Sequence, residues 1–130
     1  MGPSTINIAI VHADTSARGS LCDFITDQVG FRVVGDAGQA LQLPDPQRDA
    51  PVHVVVVHHA DAAQEGLRRI GAARALLPQA GVVVVLAPGA EALPQDGVPA
   101  GAACLQEERV PAELVGALRT IAMGRRYTPA

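Results

Sequence analysis

The chain has 130 residues, is 48% hydrophobic and carries a formal net charge of −3 with its histidines neutral. That is the length of one domain with enough apolar content to bury a core, which excludes a disordered chain. Aromatics make up only 2%, and the ten basic residues, all arginine, are scattered apart from the pairs Arg68-Arg69 and Arg125-Arg126, which excludes a base-stacking platform or a basic nucleic-acid surface.

Ile6 to Val11 is a short apolar run and predicts a first strand. It is too short and too poorly flanked to be a secretory leader, and no apolar run approaches the length of a membrane span. A cytoplasmic location is therefore expected. Asp14 or Thr15 caps a first helix in which Leu21, Phe24, Ile25 and Val29 fall at helical spacing, and Gly30 stops it. FRVVG, residues 31–35, predicts a second strand. The segment after it begins like a helix, but Pro44 and Pro46 limit it to about two turns.

VHVVVVH, residues 52–58, predicts a buried third strand, followed by a helix carrying Leu67, Ile70, Ala73, Arg74 and Leu77 that closes at Pro78. GVVVVLA, residues 81–87, is the fourth strand. Pro94, Gly97 and Pro99 allow no more than one turn over residues 91–101. GAACL, residues 101–105, is a short fifth strand. Pro111 opens a last helix whose buried stripe is Leu114, Leu118, Ile121 and Ala122, with Gly124 at its end. Cys22 and Cys104 match no metal or redox spacing and read as buried thiols in a reducing compartment.

This alternation predicts an α/β protein with a parallel sheet covered on both faces. Right-handed crossovers make it a flavodoxin-like (βα)5 doubly wound fold of strand order 2-1-3-4-5, with shortened second and fourth helices. Ligands of such folds bind at the carboxyl ends of the strands. Those ends carry His12-Ala13-Asp14, His58-His59 and Leu86-Ala87. They define a candidate ligand pocket of His12, Ala13, Asp14, His58, His59, Asp61, Leu86 and Ala87.

His12 and His58 fall on adjacent strands. The plain reading is a pair of neutral polar fillers bonded to each other, to loop backbone or to water. A transition-metal site and a pH-sensing pair are the alternatives. The loop ADTSARGS, residues 13–20, has hydroxyls and a glycine before a helix, but a flavin would need aromatics that are lacking. Asp14, Thr15 and Ser16 are better read as helix-capping residues. No nucleophile with a matched base is in evidence, so the chain does not read as an enzyme.

Several stretches in this order resemble one family. IAIVHADTSARGSL, GFRVVGDAG, HVVVVHHADAAQEGLRRI, AGAACL and VPAELVGALRTIAMGRRYTP are together similar to the receiver domain of bacterial response regulators of the NarL/LuxR type. The resemblance spans nearly the whole chain and implies a two-component, transcription-regulating role. In that family an aspartate after the third strand accepts a phosphoryl group. An acidic pair after the first strand holds Mg2+. A Thr or Ser after the fourth strand and a Lys after the fifth bind the phosphoryl oxygens.

Here every such position departs from the pattern. Counting back from Glu65-Gly66 puts His58 at the acceptor position. His12 and Ala13 replace the acidic pair, Leu86 (or Ala87) the hydroxyl residue, and Glu107 the lysine. The resemblance therefore implies an atypical, phosphorylation-independent receiver over residues 1–124. Residues 125–130 would begin a linker to a helix-turn-helix domain absent from this chain. Its expected partners are a second copy of itself, and DNA only through that missing domain, with no metal, cofactor or membrane. Leu114, Leu118, Arg119 and Arg125 are the expected dimer contacts. The alternative is a small-molecule sensor using the vacated acceptor pocket.

Overall fold

The computed structural model describes residues 4–43 and 51–128. Its sheet has five parallel strands in the order β2-β1-β3-β4-β5, the predicted order, with Ile6–Val11 as β1, Phe31–Ala37 as β2, Val54–His59 as β3, Gly81–Leu86 as β4 and Ala103–Gln106 as β5. Helix α1, Thr15–Thr26, and helix α3, Val110–Ala122, pack on one face; helix α2, Ala63–Leu76, packs on the other. Side chains alternate along each strand, so the sheet divides two cores. Val54, Val56, Val83 and Val85 meet Ile25, Leu114 and Leu118. Val55, Val57, Val82 and Val84 meet Ile70 and Ala73. The residues Val54 to Val57 are all 0% exposed, and each buried valine contributes about 1.5–3 kcal/mol.

The two segments expected to be shortened helices are each a single 3-10 turn, at Ala40–Gln42 and Gln95–Gly97; the second has the expected single turn. The predicted stop at Pro44 and Pro46 lies outside the described residues. Strand bounds moved slightly. β2 runs on to Ala37 because its last residues pair with Ala9 to Val11 past an irregularity between Ile8 and Ala9. β3 takes in His59, which pairs with Leu86. β5 begins at Ala103 rather than residue 101, because Gly101 has φ +86° and belongs to a turn.

Two expectations need correction. Leu114 and Leu118 are 0% exposed inside the first core, as their place in the buried stripe of the last helix predicts, so they hold α3 to its own sheet and are not dimer contacts. Arg119 is exposed; its Nη2 donates to Val29 O at 3.1 Å and its guanidinium lies 5.3 Å from the Phe31 ring centroid. The cysteines are not buried thiols. Cys22 is half-buried and Cys104 is exposed, because it points outward from the edge strand β5 where no full helix covers the sheet.

Beyond α3 the chain stays attached. Tyr127 packs against the first core, its hydroxyl donating to Glu113 Oε1 at 3.0 Å, and Arg125 N–H donates to Thr120 O at 3.0 Å. Among the described residues no helix is long and apolar enough to cross a membrane. Removing part of a fully packed side chain leaves a cavity, so Leu118→Ala should lower the unfolding free energy by about 2–5 kcal/mol in urea titration. An interface residue would instead change association and leave monomer stability nearly intact.

Candidate functional site

β1 and β3 are in register from Ile8–Val54 to Val11–Val57, which sets the next residues, His12 and His58, side by side at the carboxyl edge. Their rings stack with centroids 3.7 Å apart and planes inclined by 8°. Both are largely buried, at 5% and 8% exposure. His58 lies on the α1–α3 face by alternation from Val54 and Val56, and so does Glu107, which follows β5. His58 Nε2 and Glu107 Oε1 are 2.8 Å apart. The carboxylate can only accept, so His58 carries its proton on Nε2.

His12 has the opposite kind of partner. Its Nδ1 accepts the Asp14 backbone N–H at 3.1 Å. A lone pair at Nδ1 fixes the neutral tautomer with hydrogen on Nε2. Burial, then the neighbouring His58, push the His12 pKa down, and Asp14 and Glu107 only partly oppose them. Asp14 also caps α1: its Oδ1 accepts Ala17 N–H at 2.9 Å, and that bond holds its carboxyl below the ordinary range. Of the partners expected for the two imidazoles, His12 takes loop backbone, and the two rings stack with each bonded elsewhere.

Arg18 completes this edge. Its Nη1 donates to His12 O at 2.9 Å and its Nε to Asp36 Oδ1 at 3.0 Å, joining α1, β1 and β2. No sequence signal pointed to Arg18, since its partners are 6 and 18 residues away along the chain.

Ligand atoms of His12, His58 and Glu107 lie within 4.8 Å of one another, but they do not fit a metal. Stacked parallel rings direct their lone pairs side by side, whereas a bound cation needs them to converge. A metal on His12 Nε2 would also put the ring proton on Nδ1, against the Asp14 N–H that now donates to it.

His59 points to the other face, so the eight residues expected to form one pocket do not. His59 is 0% exposed, and its Nε2 is 2.7 Å from Glu91 O. Its Nδ1 has no partner among the described residues and lies against Gly66, where a Cβ would stand 2.5 Å from it. That glycine is the feature of α2 that admits the ring. Leu86 belongs to the α2-side core, Ala13 is exposed, and Asp61 is paired with Arg69 at 3.1 Å. Ala87, the next residue after β4, donates its N–H to His59 O at 2.9 Å.

Glu91 was not singled out by sequence. Its N–H donates to Asp61 O at 3.1 Å, and its Oε1 accepts Ala63 N–H at 3.2 Å. It thus caps α2 from 28 residues away, where the local residue Ala62 offers no side-chain cap. Beyond it, a cleft of about 680 Å3 runs along the outer side of β5, bordered by Leu86, Leu93, Cys104, Gln106, Arg126 and Tyr127. It occupies the side of the sheet where only the turn Gln95–Gly97 stands in for a helix.

No model of a known family matches this chain, and no curated protein does. Its fold is similar to solved structures of response regulators. The RcsB response regulator of Salmonella typhimurium superposes with a TM-score of 0.71 at 15% identity, covering 98% of this chain and 64% of RcsB. The chain therefore spans about two thirds of that protein's length. The isolated REC domain of RcsB from Salmonella enterica serovar Typhimurium gives 0.68 at 15%, covering 96% of this chain and 93% of that domain. A LuxR family DNA-binding response regulator from Silicibacter pomeroyi gives 0.66 at 22%, covering 95% and 97%. At these identities the shared property is the receiver fold.

Because Glu91 supplies the missing cap, Glu91→Ala should cost about 0.5–2 kcal/mol of stability. Hydrogen exchange should show the loss first at the Ala63 amide and the first turn of α2. Equal loss of protection throughout the protein would mean that Glu91 is not the cap.

Proposed function

We propose that this domain is the receiver-type regulatory module of a bacterial two-component response regulator, and that it works without accepting a phosphoryl group. One observation carries the reading: at the carboxyl edge of β1, β3 and β5, His58 and Glu107 close on each other beside His12. Phosphoryl transfer depends on positioning and on neutralising charge. Mg2+ requires several oxygen ligands in octahedral array. The carboxylates facing this edge are already engaged, Asp14 as the cap of α1 and Glu107 by His58.

The output we assign to the domain is association with a second copy of itself. RcsB dimers bound to DNA provide the parallel, and in this protein contact with DNA would belong to a further domain. The interface must use the exposed surface, since Leu114 and Leu118 are consumed by the core.

A second reading is favoured by the cleft beside β5, whose volume of about 680 Å3 falls in the range of small-molecule sites, about 300–1,000 Å3. In that case the domain senses a metabolite there rather than in the former acceptor position. A ligand that binds only the folded state raises its melting temperature.

Incubation with acetyl phosphate and Mg2+ should leave the intact mass unchanged, and sedimentation equilibrium of the untreated protein should show a monomer–dimer equilibrium at micromolar concentration. A stable phosphoryl adduct would overturn the phosphorylation-independent reading. A protein that stays monomeric throughout would overturn the self-association.

A further inference from the structure

We propose that His12, His58 and Glu107 form a pH-sensitive switch at the start of α1, in which a proton on His58 leaves its bond to Glu107 in place and a proton on His12 breaks its bond to the Asp14 amide. The switch stands on the geometry of the stack and holds whatever the domain regulates.

The two rings differ in what a proton does to them. His58 already donates from Nε2 to Glu107, 2.8 Å away. A proton added at its Nδ1 leaves that bond in place and turns it into a charged pair. His12 accepts the Asp14 N–H at Nδ1. A proton added there sets donor against donor, and the bond must break. With both rings charged, the stacking distance of 3.7 Å would hold two like charges face to face, largely out of water.

The charged groups around the pair are few. Asp14 and Arg18 face it from α1, and Glu107 from the turn Glu107–Arg109 between β5 and α3. Arg18 is tied to His12 O and to Asp36 of β2. His59 of the same strand points to the opposite core and takes no part. A proton on His12 therefore acts at the junction that opens α1, freeing the Asp14 backbone, which sets the cap of that helix.

The sign of the pH dependence follows. His12 in the folded state lies below its ordinary value of 6.5, so the unfolded chain takes up its proton first. The contribution of His12 to stability is fully present above pH 6.5 and is lost as pH falls through the folded value. The Asp14 carboxyl, which accepts the Ala17 N–H, is itself held below its ordinary value of 3.8 by that bond.

The test is an NMR titration of the full chain from about pH 8 to about pH 4.5. It follows both imidazole rings and the amide protection factors, which remove the intrinsic pH dependence of exchange. The His12 ring should titrate below 6.5, and the Asp14 and Ala17 amides should lose protection with the same midpoint. In His12→Asn, the amide oxygen takes over the acceptor role and cannot be protonated, so the Asp14 amide should stay protected across the range.

Titration of His12 at or above 6.5, or titration that leaves the Asp14 amide unmoved, would overturn the switch. The same loss of protection in His12→Asn would overturn it too. The wild-type midpoints decide the matter even if that variant fails to fold.

Discussion

A parallel strand buried on both faces sends each successive side chain into a different core, and β3 obeys this to its last residue. Val54 and Val56 go to the α1–α3 side, Val55 and Val57 to the α2 side, and the two terminal histidines continue the pattern. Adjacent in sequence, His58 and His59 thus do unrelated work. His58 joins His12 and Glu107 at the edge of the sheet. His59 is enclosed behind Gly66 and holds the backbone at Glu91. The register of β1 against β3 adds the second constraint, since it brings His12 to the height of His58.

The polar edge that results is closed by its own hydrogen bonds. A buried imidazole needs partners, because leaving one of its nitrogens unpaired costs about 1–3 kcal/mol. His58 finds a carboxylate and His12 a backbone amide. These two choices assign the tautomers, direct the lone pairs away from a common point and set the unequal response to protons.

On the opposite side, the shortened segment after β4 has to be held without helical hydrogen bonds of its own. Glu91 does this through backbone and side chain together, reaching Asp61, Ala63 and His59. The same shortening uncovers the outer side of β5, which exposes Cys104 and opens the cleft. Cleft and latch are two consequences of one missing helix.

The sequence by itself determined the alternation of strands and helices, the order of the sheet, the interruption at Pro94, Gly97 and Pro99, and a cap at Asp14 or Thr15, which the structure places at Asp14. These rest on local periodicity and backbone chemistry, which a short window carries in full. It also indicated that His12 and His58 would be neighbours, because the fold fixes which strands adjoin. Tertiary structure decided what such windows do not contain. The division between His58 and His59, the exposure of Cys104, and the roles of Arg18 and Glu91 all depend on partners far along the chain or on which layer a strand faces. Hydrogen-bond partners in three dimensions also settled that the two histidines stack instead of bonding to each other, because a ring's proton goes where its nearest acceptor or donor places it.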